Sequence, residues 1–392
     1  MDQIDKLLNR GVANILPSKT ELKKKLESKA KLNIYLGIDP TSTHIHLGHA
    51  VVLRKLNQFA SLGHNVTFLI GDFTALIGDT SDKEAERVAL TTSQIEDNFQ
   101  TYKKQAEKIL DFSKINIAYN SKWLSKLNFE DIVKLTSHFN VGDFVGRELI
   151  RKRLNENKRV GLHEALYPVM QGYDSYHLNT DVQLGGKDQI FNMQAGRTLI
   201  KDLRKKESFV LTTEYLIGTD GRKMSKSWGN AIWLDDKPYD MYAKIMAIKD
   251  ELLREYFILA TNLSEQIINS YFVKLKKGEE SPLNIKKILA YEIVSSLYGQ
   301  EQSKKAAREF LQRVQKKEIV NDIQIIKIKA TNTLLDLLLF SKTTSSKSDA
   351  KRLLKQKGVR INAKTASDLE LNLENNDLIE IGKRKVFRVS ID

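Results

Sequence analysis

The run His46-Leu47-Gly48-His49 carries two imidazoles three positions apart, where a turn-rich segment gives way to an apolar-periodic stretch. On a helix that spacing puts both rings on one face of the first turn, where their N–H groups reach an anion. A helix start adds unpaired backbone N–H groups and the positive end of the peptide dipole. Gly48 removes the side chain that would hold off a flat ring. The chemistry this suits is the seating of a nucleotide, phosphate and adenine together. With His44 nearby, the same fragment also fits a metal site, or plain polar surface. A second run, Gly221-Arg222-Lys223-Met224-Ser225-Lys226-Ser227, sets three cations in a short segment. Lys223 and Lys226 can embrace a triphosphate and offset the charge that builds on a departing pyrophosphate. Read blandly, the run is a solvated basic loop.

Groups of this kind work only when a fold brings them together, and the pattern around them is strand, loop, helix. Asn33–Ile38 reads as a short buried strand, the turn Asp39-Pro40-Thr41-Ser42 follows, and a helix is predicted over about 46–62. A second strand over 66–70 ends at Gly71-Asp72. A further helical stretch is predicted from near Asp82, after the turn Gly78-Asp79-Thr80-Ser81. Residues 84–155 read as mainly helical and charged, with apolar patches at Phe139-Asn140-Val141 and Phe144-Val145 that fit either a core or a second subunit. The pattern of the sheet then resumes with a helix over 167–178, a strand over 182–184 and a helix over Ile190–Arg204. Alternation of this kind predicts an α/β fold with a Rossmann-like parallel sheet. Beyond Trp233 the periodicity is helical, at 239–248, 252–259 and Pro282–Tyr298, which predicts a small bundle. A change of composition over 323–333 marks a linker to a last unit, giving expected divisions of 1–232, 233–325 and 326–392.

The bulk composition agrees. The chain has 392 residues, more than one core usually serves, with 41% hydrophobic and 29% charged residues. No apolar run approaches the length of a bilayer span, and the first nine residues lack the apolar core of an export signal. Cysteine is absent, which removes thiolate nucleophiles, disulfides and cysteine-based zinc sites and agrees with a cytoplasmic address. A formal charge of +14 favours a polyanionic partner, RNA or DNA, although a lysine-rich composition that keeps the protein soluble accounts for it equally.

Taken together and in this order, the two runs resemble the HIGH and KMSKS signatures of class I aminoacyl-tRNA synthetases. The second is an unaltered match, and the first departs only at Leu47, one aliphatic for another. The resemblance implies attack of an amino-acid carboxylate on the α-phosphorus of ATP, with magnesium accompanying the ATP and no protein-bound metal, then transfer to a tRNA ribose. No protein nucleophile is needed, since positioning and stabilisation of the phosphate can supply most of the acceleration. His46, His49, Lys223 and Lys226 are the implied catalytic groups, and Lys83 and Arg87 resemble mobile-loop cations that help with pyrophosphate.

Within that class the run from Tyr35 to Thr41, the run from Tyr167 to Asp174, and Leu184-Gly185-Gly186-Lys187-Asp188-Gln189 resemble the tyrosyl branch. The likeness implies that Tyr35 and Asp174 bind a phenol, that Asp79, Tyr167 and Gln171 hold an ammonium group, and that Gln189 lies near the carboxylate or sugar. Gly37, Asp39, Thr41, Gly48, Gly186, Asp188 and Ser225 would line the ATP or adenylate. Tyr35 and Asp174 speak against the tryptophanyl enzymes, which share both signatures but read an indole. From Lys342 to Lys364 eight lysines and arginines face one acid, Asp349, on a capped helix and a strand. That stretch resembles the S4 RNA-binding domain, which implies that Lys351, Arg352, Lys355, Lys357 and Arg360 meet RNA phosphates; its alternative is an ordinary solvated helix. Implied partners are tyrosine, ATP, tRNA(Tyr) and a second copy of the chain in a homodimer. The competing reading is a synthetase-like RNA chaperone or splicing partner without aminoacylation activity.

Overall fold

Two stretches of parallel pairing meet at one pair of strands, and that pair determines where a ligand can sit. The computed structural model describes residues 3–28, 30–78, 91–225, 228–315, 324–329, 332–341, 343–344, 346–356, 358–362, 364–382 and 385–391. The chain divides into two compact units, Met1–Ala307 and Arg308–Asp392. The first unit is built on a six-stranded sheet of β1 (Val12–Leu16), β2 (Asn33–Ile38), β3 (Asn65–Ile70), β4 (Ile115–Tyr119), β5 (Val182–Gly186) and β6 (Phe209–Thr213). Its spatial order is β1-β6-β5-β2-β3-β4, with β1 antiparallel to β6 and every other neighbour parallel. From β2 the chain moves to β3 and β4 on one side, and from β5 to β6 on the other. The order therefore reverses between β2 and β5, and a crevice opens beyond their carboxyl ends.

Parallel strands covered on both faces need continuous apolar runs. Ile34, Tyr35 and Leu36 of β2 and all five residues of β6 are buried, and register pairs Ile34 with Val182 and Leu36 with Leu184. Helices Leu47–Ser61, Leu162–His177 and Ile190–Arg204 provide the covering layers, the last two lying against one another along their lengths. Leu53, Phe59 and Phe68 are fully buried between helix and sheet. Each contributes roughly 1.5–3 kcal/mol relative to an exposed side chain.

Three strands differ from the expectation or were not foreseen. Val12–Leu16 follows the short first helix as an edge strand, and Ile115–Tyr119 is a strand within a region read as mainly helical. Phe209–Thr213 is a third. An edge strand is half-buried and short, so its pattern blurs into the polar residues beside it. The intervening insertion is otherwise helical: Thr92–Ala106, Ser121–Leu124, Phe129–Thr136, Val141–Val145 and Glu148–Asn155. The helical start expected near Asp82 lies outside the described residues.

Helices Pro238–Met246, Leu253–Ala260, Glu265–Lys276 and Pro282–Tyr298 complete the first unit, with the first and last of these packed together. Buried Arg10 ties the amino-terminal segment to them by donating to the carbonyls of Phe257, Ile258, Thr261 and Leu263 at the carboxyl end of Leu253–Ala260. The second unit is a five-stranded sheet of β7 (Gln324–Ile328), β8 (Val359–Ile361), β9 (Lys364–Thr365), β10 (Leu378–Ile381) and β11 (Lys385–Ile391), in the order β7-β11-β10-β8-β9. Leu334, Leu337, Leu338 and Ala350 from helices Leu334–Phe340 and Lys347–Lys355 join Val359, Ile379 and Val389 in its core. Among the described residues no helix is long and apolar enough to cross a membrane.

Candidate active site

Helix Leu162–His177 presents Tyr167, Gln171 and Asp174 at spacings of four and three, so they share one face and point toward β2. Asp174 is 3% exposed and accepts from Trp123 Nε1 at 2.7 Å and from Asn120 Nδ2 at 3.1 Å. Burial nevertheless pushes its carboxyl up to about 8, the two hydrogen bonds pulling down and the charges of Asp39 and Asp72 adding to the rise. Tyr35 stands in the same apolar cluster as Trp123, Tyr167 and Met170. Its hydroxyl lies 2.8 Å from Ser175 Oγ and 3.3 Å from Gln183 Oε1, and burial raises it far above the usual phenol range. The helix Ile190–Arg204 comes close enough for this because Gly196 has no Cβ; one would stand 2.4 Å from Ser175 Oγ.

At the carboxyl end of β2, Asp39 accepts from Thr74 Oγ1 at 2.7 Å and from Tyr167 Oη at 2.9 Å. Gly71 makes room for this carboxylate, since a Cβ there would lie 2.0 Å from Asp39 Oδ1. The apolar cluster thus holds the Tyr35 phenol and the Asp174 carboxyl, with the Asp39 carboxylate joined to it through the Tyr167 hydroxyl. Gly37 lies on the same strand, and the loop after it is held by helix Thr92–Ala106. Asn98 donates to the Pro40 carbonyl, and Gln105 bridges the Thr43 carbonyl and the Ile45 N–H, at 2.8 Å in each case. Thr41 sits in this loop, its N–H on the Asp39 carbonyl at 2.7 Å.

That loop delivers His46 to the amino-terminal cap of helix Leu47–Ser61, with extended backbone, φ −104° and ψ 168°. The His46 N–H donates to His49 Nδ1 at 3.3 Å, and the two ring centroids are 3.9 Å apart. Burial holds both imidazoles well below the ordinary range, to about 2 for His46 and about 4 for His49. The positive charge of Lys223 adds to both depressions, while Asp188 opposes the one on His49. Both rings are therefore neutral at physiological pH, each keeping one N–H to donate. A Cβ on Gly48 would lie 2.9 Å from the His46 ring.

The second basic run is physically tied to the first. Ile45 and Leu47 exchange backbone hydrogen bonds with the strap that follows the loop: Leu234 N–H to the Ile45 carbonyl at 2.8 Å, Leu47 N–H to the Ile232 carbonyl at 2.9 Å. The loop itself is a hairpin in which Ile217 pairs with Lys223, organised around Asn230, 2% exposed. Asn230 accepts from the Ser225 N–H at 2.8 Å and donates to Asp220 at 2.7 Å and to the Lys223 carbonyl at 3.1 Å. Gly218 admits it, since a Cβ there would be 2.4 Å from the Asn230 amide. Lys223 Nζ lies 4.0 Å from Asp188 Oδ2, on the turn after β5 that also holds Gly186 and Gln189. Gln189 accepts from Asn192 at 3.2 Å.

The fold brings Tyr35, Gly37, Asp39, Thr41, His46, Gly48, His49, Tyr167, Gln171, Asp174, Gly186, Asp188, Gln189, Lys223 and Ser225 onto the carboxyl-end side of the sheet or the loops beside it. Asp79, Lys83, Arg87, Lys226 and Lys357 lie outside the described residues. Lys351, Arg352, Lys355 and Arg360 are exposed in the second unit. Sequence reasoning missed Asn120, Trp123, Ser175, Gln183 and Asn230, polar groups that orient the others. Only the mid-chain Trp123 carried a signal, a large aromatic with a donor that burial obliges to find a partner.

The family profile described as tRNA synthetases class I (W and Y) matches residues 27–315. This chain belongs to that family. Along its full length it is similar to tyrosine–tRNA ligase of Thermotoga maritima, 40% identical over 388 residues, 98% of this chain and 96% of that one. Tyrosine–tRNA ligase 2 of Clostridium acetobutylicum is 39% identical over 398 residues, covering 100% and 99%. Among solved structures, Aspergillus nidulans mitochondrial tyrosyl-tRNA synthetase superposes with TM-score 0.67 at 21% identity, over 79% of this chain and 94% of that one. The Archaeoglobus fulgidus tyrosyl-tRNA synthetase complexed with L-tyrosine gives 0.62 at 23%, over 78% and 100%. Those two likenesses establish the class I synthetase fold.

Proposed function

We propose that this synthetase activates tyrosine with ATP and transfers the tyrosyl group to the terminal ribose of tRNA(Tyr). The observation that carries the reading is Asp174: a buried carboxyl beside the Tyr35 phenol, set among apolar and aromatic side chains, is matched by a ligand with a hydroxyl on an aromatic ring. A phenyl ring would leave that carboxyl without its third donor and lose the hydrogen bond, while an indole carries its one N–H on a larger bicycle than a phenol ring. Asp79, Tyr167 and Gln171 suit the ammonium end, and the curated relatives matched over the whole chain bear the tyrosine name.

The amino-acid carboxylate then attacks the α-phosphorus of ATP. One P–O bond forms, the bond to pyrophosphate breaks, and no proton leaves the nucleophile. Gly37, Asp39, Thr41, Gly48, Gly186, Asp188 and Ser225 would border the adenylate, with Gln189 near the substrate carboxylate or sugar. Neutral His46 and His49 donate to the phosphates from the start of helix Leu47–Ser61, while Lys223 and Lys226, with Lys83 and Arg87, offset charge on the leaving pyrophosphate. Magnesium enters with the ATP. Lys351, Arg352, Lys355, Lys357 and Arg360 are assigned to tRNA phosphates on an S4-like unit within residues 326–392.

The same reading places a second copy of the chain against the helical insertion and the start of helix Leu162–His177, which expose Phe129 (83%), Val141 (76%) and Leu162 (83%). It also places the protein in the cytoplasm. Amino-acid-dependent exchange of labelled pyrophosphate into ATP tests the activation step without tRNA. Exchange with tyrosine alone is expected; exchange with tryptophan would overturn the pocket, and none with any amino acid would favour an RNA-binding role without activation.

A further inference from the structure

Tyr215 lies two residues beyond the end of β6 and precedes the hairpin of the second signature, and it belongs to neither motif. Its ring lies beneath the Lys223 ammonium, with Nζ 4.3 Å from the ring centroid, and Lys187 Nζ is 4.8 Å from the same centroid. The backbone produces this contact. Ile217 pairs with Lys223, and the Met224 N–H donates to the Leu216 carbonyl at 3.2 Å. In an antiparallel pair the residue two before the partner is the diagonal neighbour on the same face, and Tyr215 holds that position toward Lys223. Gly186 makes room for the Asp188 carboxylate on the turn after β5, since a Cβ there would lie 2.6 Å from Asp188 Oδ1, and the Tyr215 ring packs at ordinary contact distance beside it.

We infer that Tyr215 is a positioning residue for adenylate formation, its ring face holding the Lys223 ammonium beside Asp188 and ready for the phosphates of ATP. The proposal rests on the reading of Lys223 given above. An aromatic face suits the task because it attracts a cation through its quadrupole without neutralising the charge. A carboxylate at hydrogen-bonding distance would compete with the nucleotide for the ammonium. Asp188, at 4.0 Å, steers the lysine from beyond that distance. Four-carbon lysine stems lose considerable rotamer freedom when fixed, and a ring that fixes the ammonium beforehand removes that cost from the chemical step.

The test is single-turnover formation of tyrosyl-adenylate by the full chain and by Tyr215→Leu, Tyr215→Phe, Lys223→Ala and the Tyr215→Leu/Lys223→Ala double variant. Tyr215→Leu is expected to slow the step by about 2- to 5-fold, the range of an exposed cation–π contact, with the tyrosine KM unchanged. Tyr215→Phe keeps the ring and recovers the rate. In the Lys223→Ala background, Tyr215→Leu produces no further slowing. The inference is overturned by equal slowing in the two backgrounds, by Phe failing where Leu fails, or by a faster Leu variant, which would make the ring a parking place. Absence of tyrosyl-adenylate in the parent protein would refute the functional reading itself and is seen before any variant is compared.

Discussion

Asp174→Asn removes a titratable acceptor and changes almost no volume, which makes it the sharpest probe of the pocket. In the parent the two carboxylate oxygens take Trp123 Nε1 at 2.7 Å and Asn120 Nδ2 at 3.1 Å, with lone pairs left for a substrate hydroxyl. An amide has one acceptor oxygen. Its NH2 must then face a donor, either a protein N–H or the phenol O–H of tyrosine. A buried donor left without its acceptor costs about 1–3 kcal/mol, so kcat/KM for tyrosine should fall about 5- to 150-fold. Phenylalanine makes no such bond, and its kcat/KM should hold or rise.

Stability adds a second signature of the same substitution. The Asp174 carboxyl sits at about 8, raised by burial from the ordinary carboxylate range. A raised acid pKa means the folded protein resists ionisation, so the stability this group gives is complete below the ordinary range and is lost as pH climbs through about 8. Asparagine does not titrate. Relative to the parent, Asp174→Asn should therefore gain in melting temperature between about pH 6 and pH 9. Pyrophosphate exchange with tyrosine and with phenylalanine, run beside thermal melts at both pH values, reads all of this. A folded variant whose tyrosine-to-phenylalanine preference matches the parent's would refute the assignment of Asp174 to the phenol.

Burial keeps His46 and His49 neutral down to about 4 or lower, so the pH–rate profile of adenylate formation should show no imidazole step between about pH 5.5 and 8; a step near pH 6.5 removed by His49→Asn would contradict it. Asn230→Ala takes away an acceptor and two donated bonds inside the second-signature hairpin, and a drop of about 10- to 100-fold in kcat with the tyrosine KM unchanged is expected. A shift in KM alone would mean the hairpin does not act on the chemical step. Replacing exposed Lys351, Arg352, Lys355 and Arg360 together by alanine should leave pyrophosphate exchange intact, weaken tRNA charging and flatten its dependence on salt. Charging at the parent rate would clear the second unit of an RNA role.

Most of the site was legible because its reactive groups come in short contiguous runs whose spacing survives folding. His46 and His49 lie a helical turn apart, and Tyr167, Gln171 and Asp174 share a face simply because they are helical. Their supports come from distant chain: Asn120 and Trp123 reach Asp174 from the insertion, and Ser175 with Gln183 reaches Tyr35 across a helix and a strand. No local pattern distinguishes such polar residues from surface ones. The central strands Asn33–Ile38, Asn65–Ile70 and Val182–Gly186 were legible for the converse reason, since burial on both faces writes an apolar run; Phe209–Thr213, equally buried, was missed because Thr212 and Thr213 cut its apolar run to three residues. Edge strands such as Val12–Leu16 and Ile115–Tyr119 bury half their surface and leave a pattern that helices also produce.

The most direct test of the whole account is a crystal structure of the chain with a non-hydrolysable tyrosyl-adenylate analogue. The phenol oxygen is expected within hydrogen-bonding distance of Asp174 and Tyr35, the ammonium near Tyr167 and Gln171, and the phosphate between the start of helix Leu47–Ser61 and Lys223. An analogue bound with its ring elsewhere, or with its phosphate away from His46 and His49, would contradict it.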